Sequence, residues 1–316
     1  MAENDAQTLG LEVWRGGVNT WECDEMGHLN VRFYVTRALE GLVGLAAALG
    51  LSEAYVPGAV ATLVLREQHI RFLREARPAA RLHMRAGVLS MGETEAQVLQ
   101  VLYHADTGAP AASFVSRISH VTAGDARPFP WPRKALERAA GLSVALPDYA
   151  APRGLSLAPF ESQASLARAK ALGIGPIAAG AIGPQDVDAF GRMRAEQFIG
   201  RVSDGVGQLA SQIREIVASA APQRPERFGG AVLEYRLVYL DWPRAGQRLV
   251  IHSGLAGADS RTQRLIHWLL DPETGKAWGV SEAIAATLDL DARKLVAATP
   301  EAVERLSAFA MPGLGL

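Results

Sequence analysis

The sequence predicts an α+β chain built as two tandem units, each a long buried helix wrapped by a curved antiparallel sheet. Three observations carry this expectation: an internal repeat, one long helix-spaced stretch per copy, and runs of strand-spaced residues without crossover helices between them. The repeat is plainest at Asp24-Glu25-Met26-Gly27-His28-Leu29-Asn30, which returns 164 residues later as Asp188-Ala189-Phe190-Gly191-Arg192-Met193-Arg194. In the same register Tyr34 pairs with Phe198, Arg37 with Arg201, Glu40 with Asp204, Gly41 with Gly205 and Leu45 with Leu209. Farther along the offset becomes 167: Leu73/Leu240, Arg81/Arg248, Leu82/Leu249, Gly87/Gly254, and Asp106-Thr107-Gly108 against Glu273-Thr274-Gly275. A loop insertion of three residues accounts for the change. Residues shared by both copies build the fold, and residues present in one copy only are candidates for chemistry.

In chain order, residues 1–10 read as a disordered lead, 11–14 as the start of a strand, and 18–22 as the approach to the motif. Residues 31–50 contain no proline and place Val35, Ala38, Leu39, Leu42, Val43 and Leu45 at helical spacing. Asn30 is a good N-cap and Gly50 a good stop. The last two turns are apolar nearly all round, so an enclosed helix is expected. Gly41 and Gly44 would let another element approach its backbone. Strands follow at 61–65, 68–73, 81–89, 96–103 and 111–121, and the turn residues 105–108 make two of them adjacent and antiparallel.

Residues 124–178 form a connector. Arg127-Pro128-Phe129-Pro130-Trp131-Pro132 is extended and unfit for a sheet interior, with a short helix after it at 134–140. The second unit repeats the order: a helix over 193–218 and strands at 231–240, 247–255, 262–270 and 277–289. A last helix spans 300–310. The divisions are therefore 11–123 and 179–300 for the two units, 124–178 for the connector and 301–316 for the tail. With one sheet face covered by its own helix, each half is expected to pack on the other as an internal pseudo-dimer. Further homo-oligomerisation is allowed but not required.

Bulk properties exclude several functions. The chain has 316 residues, 49% hydrophobic and 21% charged, enough for a sizeable core. A net charge of −1 argues against a nucleic-acid partner. The single cysteine, Cys23, permits no internal disulfide and suits a reducing cytoplasm. The start carries acids and no apolar signal region, and the apolar run 41–52 is too short for a bilayer, so a soluble, cytoplasmic chain with no membrane partner is expected. There is no G-x-G-x-x-G, P-loop or G-x-S-x-G, and the histidines lack metal-ligand spacing, so neither metal nor cofactor is expected. A thiol nucleophile at Cys23 is disfavoured because its counterpart is Val187.

With Asp-x-x-Gly-His-x-Asn opening a helix, residues 11–122 resemble the hotdog-fold thioesterases of the 4-hydroxybenzoyl-CoA thioesterase type, and residues 179–290 do so more weakly. Asp24, Gly27, His28, Asn30 and Tyr34 match the motif; residues 69–75 are similar to the first strand after the helix and 103–108 to the later hairpin. The tandem arrangement also resembles plant acyl-ACP thioesterases, whose pattern is Asp-x-Asn-x-His. Asp24 and His28 fit that pattern, but Met26 stands where the Asn would be, which favours the acyl-CoA branch. The resemblance implies a double hotdog and an acyl-CoA thioesterase whose site lies mainly in the N-terminal unit. A hotdog hydratase or dehydratase is the enzymatic alternative, and a non-catalytic acyl-thioester binding protein the other.

Thioester hydrolysis needs a carboxylate to attack the carbonyl or activate water, and donors for the developing oxyanion. On the implied reading Asp24 is that carboxylate, with the backbone at Gly27 and His28, at the helix start, supplying donors. The competing role for Asp24 is a turn residue, which Asp188 in the second copy supports. His28 is more discriminating because its counterpart is Arg192. Asn30 divides between cap and substrate contact, and Tyr34 between substrate contact and core packing, since its counterpart is Phe198. Arg192 and Arg194 are candidate contacts for coenzyme A phosphates, against a cluster paired with Asp188. Glu40 and Asp204 are shared acids, which suggests a structural bond.

Overall fold

The structure is a computed structural model that describes residues 9–316. Of the expected disordered lead only Leu9 and Gly10 fall among the described residues, and Leu9 is buried. Two compact units are present. The first comprises the chain up to Pro152 together with Asp186–Gln197; the second comprises Arg153–Gln185 and Phe198–Leu316. Residues 186–197, which carry the second copy of the motif, therefore pack with the first unit.

In the first unit, β1 (Leu11–Gly17), β2 (Ala61–Phe72), β3 (Arg81–Met91), β4 (Glu95–His104) and β5 (Pro110–Thr122) form an antiparallel sheet in the order β1-β3-β4-β5-β2. The two strand runs expected at 61–65 and 68–73 are one strand with an irregularity between Leu65 and Glu67. Helix α1 (Val31–Ala48) buries Val35, Ala38, Leu42 and Leu45, the i, i+3, i+4 stripe of an amphipathic helix. It is not enclosed all round as the sequence suggested, because Val43 is 44% exposed. The close approach expected at its glycines is present: a Cβ on Gly44 would lie 2.6 Å from the Val13 carbonyl oxygen, and one on Gly41 2.5 Å from Met84 Sδ. From the sheet below, Gln100 Nε2 donates to the Ala38 carbonyl at 2.7 Å.

Alternation along β4 sends Leu99, Val101 and Tyr103 to the other face, where they pack with Leu9 and Ala150. Tyr103 and Tyr149 share a hydrogen bond between hydroxyls at 3.1 Å. Connector residues Tyr149 and Ala150 thus lie on the face opposite α1. The connector's helix α2 spans Arg133–Ala140, as the sequence indicated.

The second unit has the same core plan. Strands β6 (Pro176–Ala181), β7 (Phe228–Tyr239), β8 (Arg248–Ala258), β9 (Gln263–Leu270) and β10 (Ala277–Asp289) run antiparallel in the order β7-β10-β9-β8-β6. A two-residue strand, β11 (Lys294–Leu295), pairs with β10. A short helix not anticipated from the sequence, α3 (Leu166–Leu172), precedes them. The single helix expected over 193–218 is two, α4 (Ala195–Gly205) and α5 (Gly207–Ser219). Glycines on both sides of Val206 weaken helix continuity there, at about 1 kcal/mol each relative to alanine. Helix α6 (Pro300–Phe309) packs on α5 and β8. Ile266, Trp268 and Leu270 pack with Ala169 and Leu314, and Trp268 Nε1 donates to the Gly315 carbonyl at 2.8 Å. The tail is therefore part of this core.

His267, on the opposite face of β9, makes a 2.8 Å contact between its Nδ1 and Ser253 Oγ. Burial holds its imidazole down at about 3, against 6.5 in an unfolded chain. The unfolded state therefore takes up a proton that the folded state refuses as pH falls below 6.5. Stability is unaffected above that pH and falls by about 1.4 kcal/mol per unit toward pH 3. Urea midpoints at pH 7, 5 and 4 for wild type and His267→Gln measure this; an equal acid loss in both would refute it.

Candidate active site in the first unit

The Asp24 turn comes directly from its residue types. Asp24 Oδ1 accepts from the amides of Met26 (2.9 Å) and His28 (3.0 Å), the Gly27 N–H donates to the Asp24 carbonyl (3.0 Å), and the Asp24 N–H to the His28 carbonyl (2.8 Å). Gly27 sits at φ +75°, a conformation that side-chain-bearing residues rarely adopt. A bridge between Cys23 and Leu29 closes the turn. Helix α1 begins only afterwards, at Val31, with the Asn30 side chain accepting from Arg32 N at 3.0 Å.

This geometry corrects one expectation. Gly27 and His28 are not at the helix start, and their amides are committed to the turn, so neither is a free oxyanion donor. The Val31 N–H, at the first helical position, has no acceptor among the described residues. Sequence reasoning missed it, although a recognised cap at Asn30 marks the next amide as one of the helix's unpaired donors.

The second copy folds into the same turn. Asp188 Oδ1 accepts from Phe190 N (2.8 Å) and Arg192 N (3.0 Å), Gly191 N–H donates to the Asp188 carbonyl (3.0 Å), Gly191 has φ +74°, and Val187 bridges Met193. The shared aspartate oxygen is therefore a turn-forming group in both copies.

The copies differ at the other oxygen. Asp24 Oδ2 has no hydrogen-bond partner among the described residues. Asp188 Oδ2 accepts from Arg192 Nε at 3.1 Å, with the Arg192 side chain only 6% exposed and its guanidinium over the Phe190 ring at 4.8 Å. His28 leaves its aspartate alone. Its Nε2 lies 3.1 Å from Glu75 Oε2 and 3.2 Å from Arg77 Nη2.

The other candidates are placed as follows. Tyr34 is buried, its hydroxyl accepting from Ala76 N at 3.3 Å and its ring edge-on to Phe72. Burial pushes its phenol far above the ordinary value. Arg194 Nε pairs with Glu196 Oε1 at 2.8 Å. Burial raises the Glu196 carboxyl, against the pull of Arg194 and of Arg32 at the start of α1. Glu40 pairs with Arg37, as a structural acid would. Burial, and then the charges of Asp24 and Glu22, raise the Cys23 thiol, which opposes formation of a thiolate. Among the described residues no group of three or more His, Cys, Asp or Glu is placed to hold a metal ion, and no helix is long and apolar enough to cross a membrane.

Comparison with known proteins adds an independent line. A family model described as the thioesterase-like superfamily matches residues 18–139 and again 182–306, so the two matches follow the repeat and cover well over half of the chain. No curated protein matches. Among solved structures, a protein described as an oleoyl thioesterase from Lactobacillus plantarum is similar over 88% of this chain and 97% of its own, at 12% identity and a TM-score of 0.66. An acyl-ACP thioesterase from Bacteroides thetaiotaomicron is similar over 89% and 99%, at 12% identity and 0.63. A 12:0-ACP thioesterase from Umbellularia californica is similar over 88% and 94%, at 11% identity and 0.63. At these identities the structural likeness carries the fold, the double hotdog.

Proposed function

We propose that this chain, which belongs to the thioesterase-like superfamily and is a thioester hydrolase, hydrolyses an acyl-CoA thioester to the free acid and CoA through Asp24. The observation that carries this reading is the open Asp24 Oδ2, beside an Asp188 Oδ2 already neutralised by Arg192. A carboxylate oxygen without a hydrogen-bond donor or cation is open to a water molecule. The turn amides on Oδ1 fix its direction. Asp24 takes a proton from water as the water oxygen adds to the thioester carbon. The C–S bond then breaks, and Asp24 returns that proton to the departing sulfur, which releases the thiol and the free acid and restores the carboxylate.

The Val31 N–H, reinforced by the partial positive charge at the start of α1, is the uncommitted donor for the developing oxyanion. Asn30 sets where the helix begins and hence where that donor lies. His28, held by Glu75, flanks Asp24 in the same turn and is a positioning group for the incoming thioester. Tyr34 supports the site from the core, with its hydroxyl on the Ala76 amide.

The reading of CoA as the thiol rests on Met26, which stands where the acyl-ACP pattern has Asn. The competing reading, a protein-bound acyl thioester, draws on the names of two solved structures that span both units. A thiol-release assay with matched acyl groups on CoA, acyl carrier protein and pantetheine separates them. Release is expected from acyl-CoA at least as fast as from the carrier protein. A carrier-protein preference of about tenfold would reverse the assignment, and release from none would reject hydrolysis at this site.

A further inference from the structure

We propose that a cleft in the second unit, at the start of β8, binds a small amphiphilic anion: one anionic head on an aliphatic body. The cleft has a volume of 520 Å³ and is lined by Leu166 of α3, Ala179 of β6, Arg248, Leu249 and Val250 of β8, and Pro272 in the turn between β9 and β10. Small-molecule sites have this size, mostly apolar walls and few polar groups. Arg248 is the one charged residue in the lining.

The two copies differ at this place. In the first unit the Ala105 N–H donates to the Arg81 carbonyl at 2.8 Å, which ties the β4–β5 turn to the start of β3, and the Arg81 side chain pairs with Asp106 of that turn. The repeat puts Pro272 where Ala105 stands, Arg248 at Arg81 and Glu273 at Asp106. Proline has no N–H, so the backbone tie is lost, and the Arg248 carbonyl accepts from Trp278 Nε1 at 3.3 Å instead. The acids of the turn do not reach the Arg248 side chain. Asp271 accepts from the Glu273 amide at 2.9 Å and from Thr274 Oγ1 at 2.8 Å, and neither Glu273 nor Arg248 has an ion-pair partner among the described residues. The Leu166 N–H donates to the Gly275 carbonyl at 3.1 Å, which holds Leu166 against the turn as an apolar wall. A guanidinium without a counter-charge, set among aliphatic side chains, selects one negative charge with an aliphatic chain attached. An inorganic anion leaves the walls unused, and a neutral chain leaves the fork unused.

Calorimetric titration of the full chain with octanoate, octanol and inorganic phosphate tests it. Saturable one-to-one binding of octanoate is expected, with octanol and phosphate each weaker by roughly tenfold or more, the loss of a charged hydrogen bond or of the apolar contacts. Arg248→Gln should weaken octanoate roughly tenfold and leave octanol unchanged. Ala179→Leu, which puts a larger side chain into the cleft, should also weaken octanoate. Both residues are exposed, so thermal melts should match wild type. Asp24→Asn should bind octanoate as wild type does even where thiol release is abolished, and Arg248→Gln should keep thiol release. These two results separate the cleft from the hydrolytic reading. No saturable binding, octanol or phosphate bound as tightly as octanoate, wild-type affinity in Arg248→Gln or in Ala179→Leu, or loss of binding in Asp24→Asn would each overturn the proposal.

Discussion

Asp24→Asn is expected to lower thioester turnover at least roughly a hundredfold, the lower range for a positioned acid–base group. Asparagine retains an oxygen to accept the amides of Met26 and His28, so the turn and the melting temperature should change little. Asp188→Asn should behave in the opposite way. Hydrolysis should persist near the wild-type rate, because Oδ2 of Asp188 is bound to Arg192 and is already committed. Stability should fall, because a buried guanidinium loses its counter-charge. Steady-state kinetics and thermal melts on both variants check the pair. Comparable rate losses in the two would mean that both turns work or that they share one site.

Arg37→Ala should be among the most destabilising single changes in the first unit. Arg37 Nη2 bonds Glu22 Oε1 with both side chains largely buried, and the guanidinium also covers the Trp14 ring at 5.1 Å. Glu22 in turn accepts from the Asn19 amide at 2.9 Å just before the Asp24 turn. Removing the cation strands a buried carboxylate, a loss of roughly 3–5 kcal/mol. Denaturant midpoints measure it. The double variant Glu22→Gln, Arg37→Gln should recover part of the loss, since no uncompensated charge remains. A single variant within about 1 kcal/mol of wild type would show the pair to be screened by solvent, as exposed pairs are.

Much of the fold was legible because its signals are local. The start of α1 at Val31 follows from Asn30 as a cap, and the hairpins follow from their turn residues. Errors appeared where a distant partner decided the outcome. Val43 looked buried because an apolar side chain carries no mark of what faces it. Tyr149 and Ala150 dock on the face of the first sheet opposite α1, a placement that a proline-rich connector without periodic signal does not specify. Within the candidate site, Asp24, Gly27, His28 and Asn30 were legible as neighbours because they lie in one short segment. The Val31 amide was missed because backbone donors have no letter in the sequence.

By itself the sequence determined the repeat, the order of helix and strands in each copy, and the twin Asp-x-x-Gly turns, since each depends on spacing and on conformations that glycine alone adopts readily. Tertiary structure decided which aspartate stays available. Asp24 and Asp188 make the same bonds through one oxygen; only the folded chain brings the long side chain of Arg192 back onto Asp188 and directs His28 toward Glu75 instead. The packing of residues 186–197 with the first unit was decided there as well. Both outcomes are set by burial and by contacts between residues far apart in the chain, which restrict flexible side chains to one of many conformations that local sequence leaves equally open.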